Sequence, residues 1–148
     1  MRLVFTKGPS KSDRLDVLRP GHPPQTVDCP KQRIIPHDMV HYAVEHTLVL
    51  RGFLGRVKAG ERATFGMAAD PDSDSVERLV EVFQGDAWSG GTTPAAGMIE
   101  LYQVTCEARG CPALPIGEAD VEAVLSAMTD LTARWAAVAV GAQLELRL

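Results

Sequence analysis

Two histidines and one glutamate recur at helical spacing in the first third of the chain. His37, His41 and Glu45 follow one another at intervals of four residues, so in a helix their side chains project from one stripe. Two imidazoles and a carboxylate are side chains of the kind that hold a divalent metal ion. The spacing therefore predicts a metal site with these three residues as ligands and with zinc or another divalent ion as the cofactor.

The residue after the first histidine is a candidate catalytic group. The run His37-Asp38-Met39-Val40-His41 has the form H-D-x-x-H and resembles the H-E-x-x-H zinc helix of metalloproteases, with aspartate in place of glutamate. The resemblance implies that His37 and His41 ligate zinc and that Asp38 accepts a proton from the metal-bound water. It predicts a metal-dependent hydrolase, although aspartate is one methylene shorter than glutamate and reaches less far toward that water.

The third ligand is less well defined than the two histidines. Glu45 lies about 12 Å from His37 along the helix axis, and its side chain reaches His41 more easily than a metal shared with His37. A ligand from elsewhere in the chain is therefore an alternative. The acidic candidates are Asp70, Asp72, Asp74, Glu77, Glu81, Glu100 and Glu107. The last three fall opposite the apolar stripes of their own predicted helices, which favours solvent.

A structural interpretation of the same cluster also stays open. Asp38 would place negative charge in the first turn of the helix, and Glu45 would pair with His41 one turn away. His37 and His41 lie beside apolar positions on the helical wheel, where they would be partly buried and bonded to the backbone. On this interpretation the protein is a non-enzymatic binding or interaction module, and the polar cluster orders the helix.

A longer segment around this helix resembles a group of small bacterial proteins that have no assigned activity. The resemblance rests on the segments DCPKQ (28–32), IIPHDMVHYAVE (34–45) and GFLG (52–55). It covers roughly residues 1–60 and implies a bacterial, cytosolic origin. It assigns no ligand residues.

Composition and charge narrow the class of protein and its partners. The chain has 148 residues, which fits one domain over residues 1–148. Its net charge of −4 argues against nucleic acid as a partner, and no apolar run approaches the ~18–20 residues that span a membrane. The three cysteines fit reduced thiols in the cytoplasm. A small molecule or a peptide is the expected partner, and an apolar C-terminal strand could pair edge to edge in a homo-oligomer.

The hydrophobic pattern predicts an α+β fold. Alternating apolar residues indicate three short N-terminal strands and one C-terminal strand, near residues 3–5, 15–17, 26–29 and 144–148. Helical periodicity predicts helices at 36–50, 76–84, 94–108 and 118–138, with a polar linker at 70–75 and a flexible loop at 85–93. The expected architecture is a small antiparallel sheet, formed by the N-terminal meander and the C-terminal strand, packed against about four helices.

Overall fold

The computed structural model describes residues 1–50, 52–63 and 71–148. Over these residues the chain forms four strands and five helices. In chain order they are β1 (Arg2–Thr6), β2 (Ser12–Leu18), β3 (Gln25–Pro30), α1 (His37–Leu48), α2 (Phe53–Lys58), α3 (Pro71–Trp88), α4 (Ala95–Arg109), α5 (Glu118–Ala136) and β4 (Gln143–Arg147). The predicted α+β class is therefore confirmed.

The four strands form one antiparallel sheet in the order β3-β2-β1-β4. Phe5 pairs with Leu15, and Leu3 pairs with Val17 on one side and Leu146 on the other. All five side chains are buried. They lie on one face of the sheet, because residues two apart in a strand share a face. The C-terminal strand thus pairs with the first strand, as the alternation of leucines near the C-terminus predicts.

The buried face of the sheet packs against helices. The Phe5 ring lies edge to face with Trp135 of α5, with 6.4 Å between the ring centroids. Helix α1 packs against α3 on one side and α5 on the other. Its buried apolar side chains are Met39, Val40, Ala43 and Val44. A rigid, buried α1 gives its polar side chains fixed positions.

Three helices begin and end within two residues of their predicted bounds, namely α1, α4 and α5. Helix α1 ends two residues early because Val49 adopts a left-handed conformation with φ 54°. The N–H of Leu50 then donates to the carbonyl of Glu45 and closes the last turn. Gly52 then precedes the short helix α2 as its N-cap residue.

Helix α3 departs most from the sequence prediction. It covers residues 71–88, so the predicted linker is wrong for residues 71–75 and the predicted loop is wrong for residues 85–88; residue 70 lies outside the described residues. Ser75 is fully buried, and its hydroxyl donates to the carbonyl of Pro112 at 2.6 Å. Tertiary contacts of this kind stabilise helix in a segment whose local composition favours a turn.

The C-terminal extension of α3 also has a tertiary contact. The indole Nε1 of Trp88 donates to the carbonyl of Gln32 at 2.9 Å, although the side chain stays half exposed. This contact ties the end of α3 to the segment between β3 and α1. Among the described residues, no helix combines the length and apolar character that a membrane crossing requires.

Candidate metal centre

Helix α1 positions the two histidines that the sequence singles out. Pro36 precedes the helix with extended backbone angles, and its carbonyl accepts from the N–H groups of Met39 and Val40. His37 is therefore the first helical residue and His41 follows one turn later. The His41 side chain is 3% exposed, whereas the His37 side chain is 39% exposed. One imidazole is fixed inside the protein, and the other borders solvent.

A glutamate from α3 completes a three-residue group with these histidines. The Nε2 atoms of His37 and His41 lie 3.1 Å apart. Glu77 Oε2 lies 3.0 Å from His41 Nε2, and Glu77 Oε1 lies 3.6 Å from His37 Nε2. One ligand atom from each residue falls within 4.8 Å of the other two, so the group could hold a metal ion.

The orientation of the His37 ring follows from a chain of hydrogen bonds. Gln32 donates its Nε2 hydrogen to the carbonyl of Ile35, which can only accept. The Gln32 Oε1 then accepts from Gln84 Nε2, so the Gln84 Oε1 must be the acceptor for His37 Nδ1 at 2.6 Å. Because Nδ1 carries the hydrogen, a neutral His37 has its Nε2 lone pair directed at His41 and Glu77.

The His41 ring is oriented by Glu45. Glu45 Oε1 accepts from His41 Nδ1 at 3.0 Å and from the N–H of Leu54, also at 3.0 Å. Its Oε2 accepts from the N–H groups of Gly52 and Gly55, each at 2.9 Å. Four donors therefore surround this fully buried carboxylate and satisfy it. Glu45 lies on the Nδ1 side of His41, whereas the group that could hold a metal is on the Nε2 side.

The charges of the cluster are strongly coupled. Burial lowers the pKa of His41, but hydrogen bonds with Glu45 and Glu77 outweigh that effect and raise it to about 9. Burial raises the pKa of Glu77, but hydrogen bonds with His37 and His41 outweigh it and hold that pKa well below its ordinary range. At neutral pH the metal-free cluster therefore carries a proton on His41 between two carboxylates.

Asp38, the candidate base, contacts Cys29 of β3. Its side chain is mostly buried, and its Oδ2 accepts from the thiol of Cys29 at 3.4 Å. Burial, followed by the charge and hydrogen bond of Asp38, raises the pKa of the Cys29 thiol far above its ordinary value. The thiol therefore stays protonated, which removes the nucleophilic character that only a thiolate has.

A cleft of about 580 Å³ gives access to the cluster. Its wall comprises β3 and the residues after it, α1, α2 and α3, and it includes all three residues of the group together with Asp38. Phe53 of α2 also lines the cleft, with its ring centroid 5.5 Å from that of His41. The cluster thus lines a defined cavity, which lies within the volume range of small-molecule sites in proteins.

From the sequence, Glu77 is only one of several distant acidic candidates. It comes from α3, 40 residues after His37, and only the packing of α3 against α1 brings it into place. One sequence signal does point to it. Glu77 and Gln84 are seven residues apart, so they share a helix face, and both contact His37. Among the other candidates, Asp70 lies outside the described residues, and Glu81, Glu100 and Glu107 are exposed.

Comparisons of the chain with protein-family models, curated proteins and solved structures found no match.

Proposed function

We propose that this protein binds a divalent metal ion, with zinc as the best fit, through His37, His41 and Glu77. The observation that carries the proposal is the spacing of the two histidine Nε2 atoms and the Glu77 carboxylate. Ligands at roughly 2.0–2.1 Å from a tetrahedral zinc ion are about 3.4 Å from one another. The two Nε2 atoms lie 3.1 Å apart. Glu77 lies 3.0 Å from His41 Nε2 through its Oε2 and 3.6 Å from His37 Nε2 through its Oε1, so small shifts of these side chains would accommodate the ion.

The hydrogen bonds behind the histidines support the same proposal. The Nδ1 atom of His37 is hydrogen-bonded to Gln84, and that of His41 is hydrogen-bonded to Glu45. Metal-ligating histidines commonly donate their second ring hydrogen to a carboxylate, carbonyl or water, which fixes the ring and raises its basicity. Each ring therefore presents its Nε2 atom to the space beside Glu77, where the ion would lie.

The activity we propose is metal-dependent hydrolysis. Two histidines and one glutamate form a ligand set used in catalytic zinc sites, in which the fourth position is left for water or substrate. A divalent ion held this way supplies Lewis acidity and lowers the pKa of a coordinated water to roughly 7. Asp38 lines the same cleft and is the candidate general base, while the Cys29 thiol donates to its Oδ2 and fixes the carboxylate.

Metal analysis of purified, untagged protein tests the binding proposal. We expect about one equivalent of zinc after dialysis against excess zinc and then against buffer. His41→Ala and Glu77→Gln should each lose that equivalent, because two remaining ligands bind zinc weakly. Glu100→Gln, which alters an exposed glutamate on α4, is the matched control and should retain it. A folded wild-type protein without zinc would overturn the proposal.

The proposed hydrolytic activity is tested by comparing zinc-loaded wild type with zinc-loaded Asp38→Asn. This variant should keep its zinc, because Asp38 is outside the three-residue group. Wild type should hydrolyse at least one member of a panel of ester, amide and phosphoester substrates. Asp38→Asn should be slower on it by about 10²–10⁴-fold, the usual contribution of a general base. Zinc-loaded wild type that is inactive on the whole panel, or an equally active Asp38→Asn, would contradict this assignment.

A further inference from the structure

The cleft contains a mostly buried arginine whose guanidinium is only partly hydrogen-bonded. Arg78 lines the cleft together with the three residues of the proposed metal site. Its side chain is only 9% exposed. Its Nε atom is fully buried and has no hydrogen-bond partner within the described part of the chain. A buried guanidinium nitrogen without a partner is unusual, because leaving it unpaired destabilises the fold.

Arg78 forms ion pairs with two carboxylates, but part of its guanidinium has no hydrogen bond. Asp74 Oδ1 lies 3.6 Å from Nε, which is beyond hydrogen-bonding distance. Glu81 Oε1 lies 3.1 Å from Nη2, and the Glu81 side chain is 42% exposed. Both partners are on the same helix as Arg78, and Nη1 makes no ion pair or hydrogen bond with the described residues. Nη1 is therefore the nitrogen with which a ligand in the cleft could pair, beside the Nη2 that Glu81 contacts.

The overall charge of the cleft depends on the metal. Four carboxylates and three cationic side chains line it, namely Asp28, Asp38, Asp74, Glu77, Lys31, Arg56 and Arg78. A divalent cation at His37, His41 and Glu77 adds two positive charges to these three, so the positive charges of the loaded cleft exceed the negative ones and the cleft attracts anions. A planar guanidinium matches a carboxylate geometrically and pairs with it in a bidentate manner.

We infer that Arg78 receives a carboxylate group of the substrate, so that the metal-loaded cleft selects small organic acids or peptides with a free carboxylate. This inference rests on the proposed metal site. A singly charged carboxylate suits this cleft better than a doubly charged phosphate, because four carboxylates already line the wall. Arg78 would hold one end of the substrate while the reacting group lies at the metal.

Calorimetric titration of zinc-loaded protein with simple acids tests this inference. The probes are malonate, succinate and glutarate, each compared with acetate, which has one carboxylate and cannot engage the metal and Arg78 together. We expect at least one dicarboxylate to bind tenfold or more tightly than acetate to wild type. In Arg78→Gln that advantage should fall to threefold or less, with zinc content unchanged. Arg134→Gln, which removes an arginine on α5 that pairs with Asp130, should behave as wild type.

Arg78→Lys provides a second test of the inference in case Arg78→Gln does not fold. It keeps the positive charge but lacks the bidentate fork, so it should lose most of the dicarboxylate advantage. An unchanged advantage in folded Arg78→Gln or Arg78→Lys would overturn the inference. So would the absence of any advantage in wild type, or tighter Arg78-dependent binding of inorganic phosphate than of every dicarboxylate. All of these outcomes are measured on protein that has bound zinc. Failure of the metal site is a separate result, because wild-type protein would then contain no zinc before any acid is added.

Discussion

At the scale of single residues, the two ring nitrogens of His41 have different roles. Nδ1 contacts Glu45, which is fully buried and bonded to α2, and Nε2 faces His37 and Glu77. The sequence places Glu45 on the same stripe as both histidines and so predicts it as a ligand. The structure places it where it orients His41, and the group that could hold a metal contains Glu77 in its place.

Glu45→Gln should weaken zinc binding without abolishing the site. The amide cannot accept from all four donors that contact the carboxylate, so the His41 ring loses part of its support. Outer partners of this kind typically contribute 10–100-fold to metal affinity. We expect a loss in that range at unchanged stoichiometry, measured by competition with a chromogenic chelator. Complete loss of the bound equivalent would instead identify Glu45 as a direct ligand, and Glu100→Gln is the control.

Zinc binding should become tighter as pH rises through the neutral range. The pKa of His41 is raised to about 9 in the metal-free protein, so below that pH a proton occupies the atom that zinc requires. Zinc must displace it, and apparent affinity should rise about tenfold per pH unit between pH 6.5 and 8.5 and level off above pH 9. Titration calorimetry in buffers of different ionisation enthalpy should show release of about one proton. Affinity independent of pH over that range would contradict this charge assignment.

At the scale of elements, the site depends on how α2 begins. Three N–H groups at the start of α2 donate to the Glu45 carboxylate. Gly52 allows this approach, since a Cβ there would lie 2.5 Å from Val76 Cγ1 and 2.8 Å from Glu45 Cδ. The same glycine that precedes α2 therefore leaves room for α3 and for the carboxylate that orients His41.

Gly52→Ala should destabilise the fold and weaken zinc binding together. The added methyl group overlaps Val76 and Glu45, and overpacking of this kind typically costs ~1–3 kcal/mol. Gly97→Ala is a matched control on α4, because its Cβ would meet only Thr93 Cγ2 at 3.5 Å. That variant should be slightly stabilising, by ~0.5–1 kcal/mol. Urea unfolding measures the stability of both variants. Wild-type stability of Gly52→Ala would show that Glu45 and Val76 do not pack against Gly52 as closely as the structure indicates.

Local pattern was sufficient to predict most elements but not their tertiary contacts. His37 and His41 were found because their spacing lies within one helix, and the alternation of Leu144 and Leu146 predicted β4. The extent of α3 was not predicted, because its first turns depend on contacts such as that of Ser75 with Pro112. Glu77 was not selected for the same reason, since its proximity to His41 exists only after α3 packs on α1.

At the scale of the whole molecule, the two ends of the sequence meet in one sheet. The N-terminal amine of Met1 donates to the carbonyl of Leu148, and the N–H of Leu148 donates to the carbonyl of Met1. Tyr42 of α1 contacts this sheet, since its hydroxyl donates to the carbonyl of Arg147. Helix α3 packs against α1, and residues of α1, α3 and β3 line the cleft. The metal-binding group therefore lies where elements distant in the sequence converge.

Anomalous diffraction from crystals of the zinc-loaded protein, recorded on both sides of the zinc absorption edge, tests the central claim most directly. We predict one anomalous peak about 2.0–2.2 Å from His37 Nε2, His41 Nε2 and a Glu77 carboxylate oxygen. Glu45 should then remain bonded to His41 Nδ1. A peak coordinated by other residues, or zinc-loaded crystals without a peak between these three side chains, would contradict the account.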